Sequence, residues 1–334
     1  MNKYGDLTPR QAGYIAGKLL DRIQHMEIVG RFMATKPIPA NETKTMTMRR
    51  YEHIDPVSVP MAEGVTPVGK KLTFADITFA IQQYGDIMDW TDVIEDTHPD
   101  PIVDQIKDIM AAQAARSMER LRIGTLKSGT TVYRANGSAR TDINTPVSGA
   151  KLKIISRYLN AQYGRKWTRL LPAGQGFNTE PIQPCWPALC HTDLEADIRA
   201  MPGFVPYEQY ADSGAALPGE IGKVLDYRFC LSPEIDPWAD SGGAYTASGT
   251  TMLSTSSALA DIYPIIIIAP DSACTTPLRG KGAITPIVFA AGKPSKSDPM
   301  GLVGKCAWKT WYGGGILYQP HLVRLEVACT AAPE

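Results

Sequence analysis

The chain has 334 residues, enough for about two domains at roughly 150 residues each, and its 44% apolar content can fill a core. Lys+Arg and Asp+Glu both number 34, so the formal charge is zero. That balance excludes a histone-like binder of nucleic acid, whose affinity needs a large positive excess, and it argues against an acidic disordered chain.

Residues 1–42 read as an N-terminal arm. Gln11 to Met26 is weakly amphipathic, with Tyr14, Ile15, Leu19, Leu20 and Ile23 at helical spacing. Pro37 and Pro39 then impose an extended path. The first 20 residues include Asp6, Pro9, Arg10 and Lys18 and lack an apolar core, so no secretory signal is expected there.

Residues 43–54 alternate. Thr43, Thr45, Thr47, Arg49 and Tyr51 share one face, and Met46 and Met48 the other, which predicts a strand. Residues 72–82 alternate again through Ala75, Ile77, Phe79 and Ile81. The stretch between them is too rich in Pro and Gly for a helix or a central strand. Two strands joined by so long a loop predict a protruding hairpin that lies on another copy of the chain. Its tip residues, Glu63, Gly64, Val65, Thr66, Pro67, Lys70 and Lys71, are the candidate subunit contacts.

The strongest helical signal follows. Asp100 is a candidate N-cap with Pro101 at the first turn. Ile102, Val103, Ile106, Ile109, Met110, Ala114, Met118 and Leu121 form one apolar stripe, and Gly124 is the expected end. Ile106 and either Ile109 or Met110 should pack against strands near the C-terminus. A charge asymmetry straddles this helix. Residues 85–110 hold eight acids and one base, whereas 111–170 hold twelve bases and two acids. Asp89, Asp92 and Glu95 are therefore candidates for charge docking between copies. Arg116 and Arg120 fall late in this helix, and Arg10, Lys18 and Arg22 fall on the arm.

Beyond residue 150 the pattern is mixed. A helix is expected over 151–163 and a capping box at Thr192-Asp193-Leu194-Glu195. Strands are expected over 221–231 and 262–269, with more between 305 and 327, and 242–255 reads as a Gly/Ser/Thr loop.

Catalytic signals are weak. Cys185-x4-Cys190-His191 has half the pattern of a metal site and no second half, so the six cysteines are expected as free thiols, and no cofactor or metal is expected. Gly64-x4-Gly69-Lys70 lacks the Ser/Thr and the helix a phosphate loop needs. Asp240-Ser241-Gly242 has no recognisable histidine partner. No apolar run approaches the ~20 residues of a membrane helix.

Ten short segments, in order, carry a family resemblance. They are Arg49-Arg50-Tyr51, Glu63-Gly64-Val65-Thr66-Pro67, Gln83-Tyr84-Gly85-Asp86, Asp96-Thr97-His98-Pro99-Asp100-Pro101 and Gly219-Glu220-Ile221-Gly222. Then come Ile284-Thr285-Pro286-Ile287, Gly292-Lys293-Pro294, Ser297-Asp298-Pro299, Trp308-Lys309-Thr310-Trp311-Tyr312 and Val323-Arg324-Leu325-Glu326. Together they resemble the major capsid proteins of tailed double-stranded-DNA bacteriophages, specifically the podophage-type branch of the capsid fold shared with herpesviruses. The resemblance implies an α+β fold: N-terminal arm 1–42, extended β-hairpin 43–90, peripheral domain 91–149 with a spine helix at 100–124, axial domain 150–300, and C-terminal strands 301–334 returning to the peripheral domain.

The implied role is structural, not enzymatic. Copies would form hexamers and pentamers of an icosahedral shell around non-specifically held double-stranded DNA, assembled in a bacterial cytoplasm and resident in the virion, with Arg10, Lys18, Arg22, Arg116 and Arg120 as the candidate basic groups of the inner face. A separate scaffolding protein, a portal and cement or decoration proteins are the further implied partners, and no membrane is. The alternatives are a cellular shell of the same fold enclosing an enzyme, and an unrecognised soluble α+β enzyme.

Overall fold

The computed structural model describes residues 28–39, 43–58, 60–61, 63–64, 66, 69–97, 102–170, 180–210, 217, 219–247, 250–278, 284–292 and 298–331. The helix expected within 11–26 lies outside these residues. A short strand β1 (Ala34–Thr35) precedes the hairpin strands β2 (Thr45–Tyr51) and β3 (Phe74–Ala80). β4 (Gln82–Thr91) leads into α1 (Asp92–Thr97) and α2 (Ile102–Lys127), and β5 (Val132–Arg134) follows. Then come α3 (Gly149–Ala161), β6 (Trp167–Leu170), β7 (Glu180–Cys190), α4 (Glu195–Arg199), β8 (Val205–Pro206), β9 (Glu220–Val224) and β10 (Tyr227–Leu231). The chain closes with β11 (Thr246–Ala247), β12 (Thr250–Thr251), β13 (Ile262–Ile268), β14 (Ala273–Thr275), β15 (Thr285–Phe289), β16 (Val303–Tyr312), β17 (Gly314–Ile316) and β18 (Leu322–Ala328).

The largest sheet is mixed, in the order β5-β18-β13-β7-β10-β9-β8 with β6 also paired to β7. Both of its faces are covered, which explains the continuous apolar run of β13, every residue of which is buried. Successive residues alternate between two cores. Ile265 and Ile267 join Trp186, Tyr227, Phe229 and Leu325 beneath Leu152, Ile155 and Leu159 of α3. Ile266 and Ile268 join Leu189, Cys230 and Leu322 beneath Ile123 and Leu126 of α2, together with Ile28, Val29 and Phe32.

A second, antiparallel sheet has the order β15-β16-β4. It packs on the first half of α2 through Trp90, Cys306, Trp308, Ile106, Met110 and Ala114. The expected contact of Ile106 with C-terminal strands is therefore present, and of the two alternatives beside it Met110, not Ile109, joins that core. α2 is a strut between two cores: its 26 residues span about 39 Å at ~1.5 Å each. It passes the expected stop at Gly124, because Leu126 in its last turn is fully buried under the large sheet. Tertiary burial outweighs the ~1 kcal/mol cost of a helical glycine.

Two further expectations are corrected. The strand read over 221–231 is a hairpin of β9 and β10, turning at Leu225 with φ 54. No Gly or Pro marks that turn, and both strands are almost wholly buried, so the run looked continuous. The helix read from a capping box at Thr192 begins one residue earlier, as a 3-10 turn capped by His191, whose Nδ1 accepts from Asp193 N at 3.1 Å.

Candidate functional site

The hairpin β2–β3 stands apart from both cores, with Thr45 opposite Ala80 and Tyr51 opposite Phe74. β4 belongs instead to the second sheet, so within 43–90 the hairpin pairing covers 45–51 and 74–80. The hairpin is fixed to its own chain at the base. Phe79 is buried over Gly315 of β17. Arg50 donates to the Leu317 carbonyl at 2.9 Å and stacks on Tyr318 with its guanidinium carbon 4.4 Å from the ring centre.

Beside it, Arg49 forks onto Asp76 at 2.8 and 2.9 Å and lies over Phe74. Both groups are exposed, so the pair adds little stability and mainly sets register. Beyond it the apolar side chains of Tyr51, Ile54, Val57, Met61, Leu72 and Phe74 all face solvent, Val57 at 79% and Met61 at 78%. Isolated exposed apolar residues are ordinary, but this set is concentrated on one extension.

Of the expected tip contacts, Glu63, Gly64, Thr66, Lys70 and Lys71 are exposed, and Gly64 occupies a turn at φ 78. Lys70 Nζ donates to the Asp55 carbonyl at 2.9 Å, cross-linking the two limbs of the loop. Val65 and Pro67 lie outside the described residues, as do Arg10, Lys18 and Arg22.

The acidic candidates have local duties the sequence did not reveal. Asp92 Oδ1 accepts from Val93 N at 2.8 Å at the start of α1. Glu95 accepts the indole N–H of the buried Trp90 at 3.0 Å. Asp89 is half-buried, with Lys305 as its cross-strand neighbour.

The basic candidates Arg116 and Arg120 both grip Glu234, at 2.7 and 2.6 Å. Their spacing of four residues sets them one turn apart on α2, and Glu234 enters from the turn after β10. Glu234 is almost buried. Burial pushes its carboxyl up, but the hydrogen bonds and charges of the two arginines prevail and hold it below the usual range. A groove of about 430 Å³ between β4 and α2 is lined by Asp86, Ile87, Met110, Gln113, Arg116 and Arg120. Residues from the acidic and the basic segments thus line one groove within one chain. Asp86 binds the Gln113 side-chain amide and the Ile87 N–H, which lower its carboxyl.

A second charged cluster is buried deeper. Glu326 on β18 accepts from Arg140 at 2.6 and 3.1 Å and from Arg324 at 3.1 Å. Arg140 also stacks on Trp238, 3.9 Å from the ring centre.

The weak catalytic patterns do not assemble. Cys185 and Cys190 are five residues apart on β7, hence on opposite faces of the sheet and in different cores. Among the described residues no group of His, Cys, Asp and Glu side chains could hold a metal. Ser241 Oγ donates to the Ala239 carbonyl. The chain after Lys70 runs into β3, where a phosphate loop would need a helix. No helix among the described residues is long and apolar enough to cross a membrane.

The hairpin, the strut and the covered sheet are together matched by solved phage capsid structures. The fold matches the capsid of Ralstonia phage GP4 with a TM-score of 0.69 at 9% identity, covering 100% of this chain and 99% of the other. It matches a capsid chain of Cyanophage Pam1 with a TM-score of 0.66 at 10% identity, covering 99% and 100%. The family model described as "Phage capsid protein" matches residues 75–283, and the chain belongs to this family. A curated relative, the major capsid protein of Pseudomonas phage KPP21, is 24% identical over 261 residues. The match spans 73% of this chain and 65% of that relative's length. The family is structural and not enzymatic.

Proposed function

We propose that copies of this chain assemble as hexamers and pentamers into an icosahedral shell enclosing double-stranded DNA. The observation that carries this reading is the hairpin: it is anchored at its base by Phe79 and Arg50, yet exposes six large apolar side chains beyond. A surface of that kind is stabilised when a neighbouring copy covers it, and many modest contacts repeated over a closed shell become collectively strong.

In this reading 43–90 reaches to a neighbour, 91–149 and 301–334 form the peripheral part with α2 as spine, and 150–300 forms the axial part. The near-zero net charge suits close packing of identical copies. DNA contact is non-specific and weak, since the chain has no surplus of positive charge. A separate scaffolding protein, a portal and cement proteins complete the assembly, and the mature location is the virion. Membership of a phage capsid family does not favour the cargo-enclosing alternative.

Negative-stain microscopy of the chain expressed with its scaffolding protein tests the reading. Closed icosahedral particles are expected, and those isolated from packaging-competent infections should contain nuclease-protected DNA. A monodisperse monomer at high concentration under both conditions overturns it.

A further inference from the structure

Glu119 is the one acidic residue in the middle of the apolar stripe region of α2 that is fully buried. Its Oε1 accepts from the backbone N–H groups of Ile28 and Val29, at 3.1 and 2.9 Å, across some ninety positions of sequence. Those two residues open the segment whose Val29 and Phe32 are sealed into the core beneath the large sheet. Glu119 Oε2 is also buried and has no hydrogen-bond partner among the described residues.

We propose that Glu119 is an acid-operated clasp, fastening the root of the N-terminal segment to the spine helix more firmly when its carboxyl is neutral than when it is charged.

The geometry sets the direction. A proton placed on Oε2 leaves Oε1 free to accept both backbone N–H groups, so the neutral form keeps every bond of the clasp. The charged form keeps the same two bonds but leaves half of a carboxylate buried and unsolvated, which disfavours it. Burial accordingly raises this carboxyl above the ordinary value; the two N–H bonds oppose the shift and the Glu234 charge adds to it.

Among the charged groups on the surrounding elements, the one that acts on the Glu119 carboxyl is Glu234, which is of like charge. On α2 itself, Arg116 and Arg120 are engaged with Glu234, and the Arg122 guanidinium is itself lowered by burial. On β9 and β10, Glu220 and Arg228 bind each other at 2.7 Å. The thiols of Cys185 and Cys230 in the same core are raised by burial and stay neutral. Arg31 lies on the clasped turn. A carboxyl raised on folding favours the folded clasp fully below its unfolded value, and that contribution is lost as pH rises through the folded value. The root of the segment is therefore looser at neutral pH than in mild acid.

Hydrogen exchange of the full-length chain, corrected for intrinsic rates, tests this. The exchange of peptides covering 28–32 is compared with that of 262–268 at a series of pH values. The protection of 28–32 relative to 262–268 should fall several-fold as pH rises from mildly acidic to neutral. Glu119→Gln, which copies the neutral carboxyl, should keep high protection at every pH. Glu119→Ala, which removes both bonds, should keep low protection at every pH. A wild-type ratio that is flat with pH overturns the proposal, and needs no variant. So does a Glu119→Gln chain that follows the wild-type profile, or a Glu119→Ala chain that is protected like wild type. None of these outcomes depends on shell assembly.

Discussion

The ring of Phe79 lies so close to the backbone of Gly315 that a Cβ there would stand 1.7 Å from Phe79 Cε1. The root of the hairpin and strand β17 are thereby one packed unit, although the two residues are far apart in sequence. Gly315→Ala must push the ring aside, and overpacking of this kind costs about 1–3 kcal/mol. Chemical denaturation of the variant should show that loss, and Phe79→Leu in the same chain should recover part of it. Undiminished stability in Gly315→Ala would mean that the ring has somewhere else to go.

Shortening the hairpin should separate folding from assembly. Among the described residues, deletion of 57–70 removes exposed ones only and none of the buried core. The variant should retain its thermal midpoint to within a few degrees, yet yield no shells by microscopy. Normal shells from it would show that the tip is dispensable.

Ile106 is 5% exposed between Trp90 and Trp308 of the second sheet. Ile106→Asp would bury an unpaired charge at a cost of several kcal/mol. The soluble yield and the melting temperature should both fall sharply. A wild-type melting temperature would contradict this packing.

Glu234 is expected to shape the acid limb of stability. Its carboxyl is lowered in the folded state, so its contribution is fully present above the unfolded value, near 4.5, and is lost as pH falls below that value and through the lower folded one. Glu234→Gln should lose stability at pH 7 and flatten the profile between neutral pH and that acid limb. Identical acid unfolding curves for the two chains would remove Glu234 from this role.

Charge docking between copies is best probed away from residues with local duties. Reversal of Asp92 or Glu95 would also damage the start of α1 and the Trp90 contact. Asp96 and Asp108 are exposed. Asp96→Lys with Asp108→Lys should leave folding unchanged and impair shell formation. The defect should resemble that of wild type in 1 M salt, where screening shortens the interaction range to about 3 Å. Assembly that ignores both would assign these carboxylates to solvent.

The long helix, the alternating hairpin strands and the buried β13 were legible because each rests on a local periodicity. The β9–β10 turn was not, because Leu225 adopts a positive φ with no Gly to announce it. Nor was the role of Arg116 and Arg120. Their partner Glu234 is more than a hundred positions away and carries no motif, so only the fold brings the three together. The same holds for Glu119. In sequence it is one acid in a basic stretch; its backbone partners, Ile28 and Val29, are supplied by a segment whose route periodicity cannot trace.

All six thiols are shut inside the protein, and burial lifts Cys185 and Cys274 to about 11. Thiolate, the form that oxidant or disulfide attacks from, is scarce and out of reach. A shell built from such subunits would keep one covalent form when it passes from a reducing cell into oxygenated surroundings. Its endurance there would not draw on disulfides, and none would mispair during storage.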